Sequence, residues 1–237
     1  KAGDGQVIYF SGCYAGYIRP EIGEAAVSVL NHLGLTVLTP PQHCCGLPML
    51  SKGMASRAAD RVAANLKKWA EMLASASQIV VTCSSCGLAL MQEWAYLVDS
   101  DTAAGIREKV IHISRLVLRH RAKLKCESAD MHLAYHYPCH LKVQPDADCS
   151  VQMLAAMDGV RVSPLHTHCC GMAGSWGMAA RHVDLSIAIS GDMMAQLTTS
   201  TATTGVTDCP TCRMQMEQLG SKPIRHPIEI VADRIIR

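Results

Sequence analysis

The sequence predicts an α/β fold built twice, as two similar halves related by internal duplication, each a small parallel sheet flanked by helices. Three observations carry this expectation. Ten of the twelve cysteines fall into two sets of the same order, Cys13, Cys44, Cys45, Cys83, Cys86 and Cys139, Cys169, Cys170, Cys209, Cys212, displaced by 125 or 126 residues. Short apolar runs alternate with stretches of helical periodicity, the pattern of a parallel sheet covered by helices. Each cysteine group directly follows one of the apolar runs, as ligand groups do at the carboxyl edge of such a sheet. At 237 residues the chain accommodates two domains of ordinary size, and the repeat sets them near 1–125 and 126–237.

In the first half, Val7–Phe10 reads as a buried strand ended by Ser11-Gly12-Cys13. From Arg19-Pro20 to Leu33 the apolar positions recur at helical spacing, and Gly34 is the stop signal. Leu35–Thr39 is a second strand, closed by Pro40-Pro41 before Cys44-Cys45-Gly46. Ser51 or Ser56 is the expected cap of a helix running to about Ala76. Ile79–Thr82 is a third strand, and Cys83-Ser84-Ser85-Cys86 opens a helix expected to continue through about Val98. Val110–Ile113 and a following helix complete the half.

The second half repeats the order. His132–Tyr137 is a strand before Pro138-Cys139, Val160–Leu165 a strand before Cys169-Cys170-Gly171, and Gly174–Leu197 is expected to be mostly helical. Gly205–Asp208 leads into Cys209-Pro210-Thr211-Cys212 and a helix, and Arg225–Ile236 ends the half, its tail Ile228–Ile236 carrying its apolar residues on one face. Each half is thus expected to be Rossmann-like, with groups some 30 to 40 residues apart in sequence converging at one sheet edge.

Composition excludes several classes. Apolar residues make up 49% and charged residues 18%, typical of a folded globular chain rather than a disordered one. Aromatics are only 4%, with one Phe, so the cores must draw on Leu, Val, Ile, Ala and thirteen Met. A net charge of +2 without a Lys/Arg run gives no case for nucleic acid. No apolar run reaches the roughly 18 residues that span a bilayer, and no signal-type apolar segment opens the chain. A start at Lys1 rather than Met suggests a processed product or an excised segment.

Twelve cysteines in an even count suit a secreted disulfide framework on their face. A chain of this size does not need such stapling, and the CCG and CxxC groupings look like ligand clusters rather than bridge ends. Adjacent cysteines deliver two thiolates from one turn, and the following glycine lets backbone approach a bulky ligand. Five thiolates around one point exceed the four of a structural zinc, and the CxxC pairs lack the roughly 15–20-residue separation of a zinc ribbon. A thioredoxin-like reading of Cys83/Cys86 or Cys209/Cys212 leaves the other three cysteines of each set unexplained. Iron–sulfur clusters suit several thiolate ligands per site, although the C-x2-C-x2-C string of small ferredoxins is missing. Iron–sulfur is the favoured reading, ahead of zinc and of bare thiol chemistry.

The series Cys13-x30-Cys44-Cys45-Gly46-x36-Cys83-x2-Cys86, repeated from Cys139 to Cys212, resembles the duplicated cysteine-rich CCG-domain family. That family includes the heterodisulfide reductase B subunit and iron–sulfur subunits of glycolate, lactate and glycerol-3-phosphate dehydrogenases. The stretches FSGCYAGYIRPEIG, CCGLPMLSKG, CCGMAGSWG and RHPIEIVA look most like the branch formed by the C subunit of anaerobic glycerol-3-phosphate dehydrogenase. The resemblance implies a [4Fe–4S] cluster of noncubane type, one or two per chain. Its ligands would be Cys13, Cys44, Cys45, Cys83 and Cys86 in one half and Cys139, Cys169, Cys170, Cys209 and Cys212 in the other.

It further implies an electron-transfer subunit of an anaerobic respiratory dehydrogenase, passing electrons from a flavin-containing dehydrogenase subunit toward quinone or a membrane-anchored acceptor. A ferredoxin-type domain would lie N-terminal to this segment, and the assembly would sit on the cytoplasmic face of the inner membrane, with no residue of this chain catalytic in its own right. The completeness of both sets also suits a heterodisulfide reductase-like enzyme that cleaves a disulfide at its clusters. A glycolate or lactate oxidase iron–sulfur subunit and a zinc-loaded assembly scaffold are rival readings of the same cysteines.

Several residues outside the sets are weighed beside them. His43 and His168 precede the two CCG triplets and could donate a hydrogen bond to cluster sulfur, or be turn histidines kept through duplication. His136 and His140 flank Cys139 where the first half has Phe10 and Tyr14; they are weaker candidates for a proton or substrate role, His140 ahead because it follows a ligand. Cys126 and Cys149 fall outside the repeat and read as structural or surface thiols. Gly12 and Gly16 read as turn glycines, Trp94 and Trp176 as core, and Arg19 and Arg181 as exposed helix arginines.

Overall fold

The computed structural model describes residues 5–166 and 169–236. The chain divides into two compact units, Lys1–Leu124 and Lys125–Arg237.

In the first unit the strands β1 (Gln6–Phe10), β2 (Thr36–Leu38), β3 (Ala76–Val81) and β4 (Val110–His112) form one sheet in the order β2-β1-β3-β4. All three pairings are parallel, with Ile8 beside Leu38, Phe10 beside Val81 and Val81 beside His112. Val7, Ile8, Tyr9 and Phe10 are all buried, the continuous burial of a central parallel strand. The chain passes from β1 to β2 on one side and then returns to place β3 on the other. That reversal leaves a crevice at the carboxyl ends of β1 and β3. Helix α1 (Pro20–His32) opens on a proline, which lacks only an N–H that would have no helical partner, and lies against β2. The short helix α2 (Leu47–Leu50) and the long helix α3 (Ala55–Ser75) follow, α3 packing on β1 and β3. Phe10 meets Trp69 edge-on with ring centroids 5.4 Å apart, and Trp69 stacks on Trp94 at 5.9 Å.

The structure corrects three expectations here. Neither Ser51 nor Ser56 caps α3: Met54 stands at the cap position without a side-chain hydrogen bond, and the Ser51 hydroxyl instead donates to the Pro48 carbonyl. The helix begun at Cys83-Cys86 does not reach Val98. It ends as α4 (Ser84–Met91), and a 3-10 turn over Glu93–Tyr96 follows. Buried Trp94 accounts for the break, because its indole N–H donates to the Cys45 carbonyl at 2.9 Å. A further helix, α5 (Ser100–Lys109), was not expected; Asp99 caps it by accepting from the Thr102 N–H. Helix α6 (Ile113–Arg119) closes the unit.

The second unit repeats the architecture. β5 (Met131–His136), β6 (Val160–Leu165), β7 (Thr204–Val206) and β8 (Ile224–Arg225) form a second sheet of order β6-β5-β7-β8, again all parallel. Helices α7 (Cys139–Lys142) and α8 (Cys149–Ala155) precede β6. The region expected to be helical from Gly174 instead turns through a 3-10 segment at Ala180–His182 before α9 (Val183–Thr199) begins. Ala173 at φ 44° and Gly174 at φ 65° make consecutive left-handed steps, which a right-handed helix cannot contain. Helices α10 (Pro210–Leu219) and α11 (Pro227–Arg234) complete the unit, and the apolar face of α11 is buried through Ile228, Ile230 and Val231. Methionines take the place of aromatics in this core: Met193 and Met216 pack with Leu197, Ile224, Cys170 and Cys212.

Trp176 departs from its expected core position. It is 37% exposed and stacks on His182 at a centroid distance of 4.0 Å. Arg19 precedes α1 and pairs with Glu21, and Arg181 lies in the 3-10 turn with its Nε donating to His182 Nε2. Cys126 forms an isolated antiparallel bridge with Ile235, while Cys149 opens α8.

Candidate metal centre

In the first unit the sheet edge gathers three loops. The loop after β1 carries Cys13, that after β2 carries Cys44 and Cys45, and β3 leads to Cys83 and Cys86 at the start of α4. Side chains from elsewhere fix these loops. Gln42 accepts from the Gly12 N–H at 3.2 Å and donates to the Tyr9 carbonyl at 3.3 Å, tying the second loop to the first. Asn65, fully buried on α3, accepts from the His43 N–H at 2.6 Å and donates back to the His43 carbonyl at 3.3 Å. Trp94 holds the Cys45 carbonyl. Gly46 turns the chain at φ 89°, and the Cys86 N–H donates to Cys83 Sγ at 3.4 Å, a thiol at a helix start where negative charge is favoured.

The thiols of this unit influence one another's ionisation in a single row, in the order Cys13, Cys44, Cys45, Cys86, Cys83. Cys45 and Cys86 are buried, Cys44 and Cys83 half-buried, and Cys13 exposed. Hydrogen bonds from Cys13 and then Cys45 hold the Cys44 thiol well below the ordinary range. The same bonds push Cys13 and Cys45 up, and Cys86 is raised by its bonds to Cys45 and Cys83. Without a cation, such a row supports little ionisation beyond its first thiolate, since each further one would face like charge. A metal centre removes that conflict, and the donor set fits a thiolate-ligated one. An open cavity of about 460 Å³ reaches Cys13 and Cys44, with His43, Gln42 and Tyr17 on its walls. The His43 ring pairs with Lys68, Nε2 to Nζ 3.1 Å.

In the second unit Cys139 is exposed, Cys169 half-buried, and Cys170, Cys209 and Cys212 buried. Here the row is shorter. Cys212 bonds to both Cys170 and Cys209, and Cys170 also bonds His136. The bond from Cys212 comes first in lowering Cys170 to about 5, against burial and with help from His136. Cys209 is lowered to about 7, again first by Cys212. Cys139 is raised, chiefly by burial and then by the charges of Cys209, Cys169 and Cys170. The Gly171 N–H donates to Cys169 Sγ at 3.3 Å.

The histidines fall out differently from their sequence ranking. His136, at the end of β5, lies against the thiols, and its ring nitrogen, Cys170 Sγ and Cys212 Sγ all lie within 4.8 Å of one another. His140, ranked ahead of it, sits on α7, where its carbonyl accepts from Gln144 at 2.6 Å. His168 lies outside the described residues. Sequence reasoning missed Asn65, Gln42 and Asp208. Asn65 had a signal, being a polar residue on the buried stripe Val62, Asn65, Trp69. Asp208 precedes Cys209 and is fully buried; it accepts from the Tyr135 hydroxyl and from Ser150 Oγ, where the first unit pairs Tyr9 with Thr82.

In the reduced, metal-free chain this arrangement predicts how fast two thiols react. Alkylation follows the thiolate fraction. Cys139, exposed and raised, should react roughly tenfold faster per pH unit between about pH 6 and 8. Cys44, already a thiolate, should react at a nearly constant rate over the same range. Timed iodoacetamide labelling read by peptide mass spectrometry checks this; parallel slopes at the two residues would contradict it.

The profile of the cysteine-rich domain CCG matches the chain twice, over residues 7–91 and 133–217. The C subunit of anaerobic glycerol-3-phosphate dehydrogenase from Escherichia coli K12 is 28% identical over 235 residues, covering 97% of this chain and 59% of the relative. The D subunit of dihydromethanophenazine:CoB–CoM heterodisulfide reductase from Methanosarcina acetivorans is 26% identical over 238 residues, 94% of this chain and 56% of that one. The glycolate oxidase iron–sulfur subunit of Escherichia coli K12 is 27% identical over 239 residues, 95% and 57%. The chain therefore spans less than two thirds of the length of these relatives, which are named as subunits of dehydrogenases, oxidases and reductases. Among the described residues no helix is long and apolar enough to cross a membrane. With the profile covering most of both units and a cysteine set at each sheet edge, the chain belongs to the CCG cysteine-rich domain family.

Proposed function

We propose that the chain is an iron–sulfur electron-transfer subunit of an anaerobic respiratory dehydrogenase, similar to the C subunit of the glycerol-3-phosphate enzyme. The observation that carries this is the placement of five cysteines after the strands of the first sheet, at its carboxyl edge, echoed by the second set. Each half, 1–125 and 126–237, is read as one CCG domain. The chain would hold one or two [4Fe–4S] clusters of noncubane type, with Cys13, Cys44, Cys45, Cys83 and Cys86 as the ligands in the first half and Cys139, Cys169, Cys170, Cys209 and Cys212 those in the second. A bound cluster supplies one-electron chemistry between a flavin-bearing partner and a quinone-side acceptor.

The chain's own part is ligation and burial. Asn65, Gln42 and Trp94 hold the first CCG loop in place. Phe10, Trp69 and Trp94 belong to the apolar core against which Cys45 and Cys86 pack, and this core excludes water from that side. A ferredoxin-type domain N-terminal to this segment and attachment at the cytoplasmic face of the inner membrane belong to the same reading. The cavity over Cys13 and Cys44 favours one rival: it leaves room for a small disulfide, as a heterodisulfide reductase-like enzyme requires.

Iron and acid-labile sulfide per chain, measured on anaerobically prepared protein together with EPR, test both. About eight irons with a signal altered by added thiols would support two clusters and the disulfide-cleaving rival. Signals indifferent to thiols favour the carrier. No iron after anaerobic reconstitution would sink both.

A further inference from the structure

We propose that His136 supplies a nitrogen donor to the metal centre of the second unit, so that this centre is coordinated by nitrogen and sulfur while that of the first unit is coordinated by sulfur alone. The proposal rests on reading the cysteine sets as metal centres, but not on the metal being iron.

His136 is the last residue of β5, the strand between β6 and β7, and it is 1% exposed. Its neighbours Leu133, Ala134 and Tyr135 on β5 are core residues. An imidazole in such a setting costs free energy unless its nitrogens have partners. Thiols are among its neighbours: its ring nitrogen and the sulfurs of Cys170 and Cys212 form a triangle with no side above 4.8 Å. Bonds of about 2.0 Å to nitrogen and 2.3 Å to sulfur around a tetrahedral ion put donors ~3.5–3.8 Å apart. Only small side-chain movements separate the triangle from that spacing. A third sulfur is at hand, since the Cys209 thiol bonds to that of Cys212. Two sulfurs and one nitrogen therefore meet on the buried side of the second set, with Cys209 beside Cys212 but outside the triangle. Cys139 is exposed and Cys169 half-buried.

The first unit shows what the same fold does without this residue. The last residue of β1 is Phe10, directed edge-on against Trp69 in the core, and the thiol row there runs unbroken through all five cysteines. In the second unit the row runs from Cys209 through Cys212 to Cys170 and ends on His136. The two sets obey one repeat in sequence but present different donors. Imidazole nitrogen and thiolate sulfur together suit iron, zinc and cobalt.

The test uses the full-length chain, reduced, freed of metal and titrated anaerobically with Co2+, with all histidines labelled with 15N in a parallel sample. Wild-type protein should show a nitrogen hyperfine coupling at bound cobalt that changes isotope with the label. In His136→Phe, which installs the residue of the first unit, that coupling should vanish and one class of cobalt site should weaken by at least about tenfold; the sulfur-to-cobalt charge-transfer bands of the other class should be unchanged. The wild-type sample alone can refute the proposal, so the test survives poor folding of His136→Phe. No nitrogen coupling in the wild type, or a coupling that survives His136→Phe, would overturn the proposal. Iron analysis of the same preparations is separate: a chain that takes cobalt through nitrogen but never assembles iron would defeat the electron-carrier reading and leave His136 as a ligand.

Discussion

Anaerobically reconstituted Cys86→Ser should lose the iron of the first unit, about four atoms per chain if the centre is a [4Fe–4S] cluster, and keep that of the second. Cys86 is buried and occupies an inner place in the thiol row, between Cys45 and Cys83. Loss of its sulfur therefore splits the row instead of trimming an end. The serine oxygen is a harder donor than sulfur, less suited to a cluster held by thiolates. Cys212→Ser should do the same to the second unit, where Cys212 joins Cys170 to Cys209. Cys126→Ser is the control. Cys126 sits at the bridge to Ile235, outside both sets, and iron content there should not change. Iron and labile sulfide per chain decide the matter: full iron in Cys86→Ser, or equal loss in Cys126→Ser, would remove the thiol rows from the role assigned to them.

What could be read from the sequence was whatever repeats or alternates. The edge strand β6, where Val160 and Val162 alternate with Arg161 and Ser163, matched its expected span, and the central strands β1, β3 and β5 lay within a few residues of theirs. The positions of the CCG and CxxC groups after strands were legible for the same reason. What failed depended on contacts between distant residues. Helix α4 ends early because Trp94 is drawn to the Cys45 carbonyl, 49 residues away in sequence. The chain after Gly174 turns before it becomes helical because Ala173 takes a positive φ that no propensity assigns to alanine. His140 outranks His136 in sequence because adjacency to a ligand reads as nearness. A strand's last residue, three positions before the cysteine, is instead the one at the sheet edge. Asn65 could have been noticed as a polar residue on a buried helix stripe, but its target in the His43 loop, 22 residues back, has no mark in the sequence.

Gly171→Ala should unfold the second unit far more readily than Gly46→Ala unfolds the first, although the two glycines are counterparts in the repeat. Both sit at left-handed φ, 82° and 89°, where an alanine costs roughly 1–2 kcal/mol. Beyond that they differ. A Cβ on Gly46 would stand 3.3 Å from Ala58 Cβ on α3, a contact relieved by a shift of a few tenths of an ångström. A Cβ on Gly171 would fall 2.0 Å from the carbonyl oxygen of Ser186 and 2.9 Å from its carbonyl carbon. That carbonyl belongs to the 17-residue helix α9 and cannot rotate aside. Ser186 is further tied in place: its hydroxyl donates to the Gly171 carbonyl at 3.0 Å, and Gln215 Nε2 lies 3.4 Å from its own carbonyl oxygen. Overpacking of this kind adds about 1–3 kcal/mol or more, so Gly171→Ala should lose roughly 3–5 kcal/mol, a large share of what a domain has. In thermal unfolding of the reduced, metal-free chain this corresponds to a drop of about 15 °C or more for the second unit, against less than about 10 °C for the first in Gly46→Ala. Equal losses in the two variants would mean that α9 yields to the added methyl, and that the Gly171–Ser186 contact is not what holds Cys169 and Cys170 at the sheet edge.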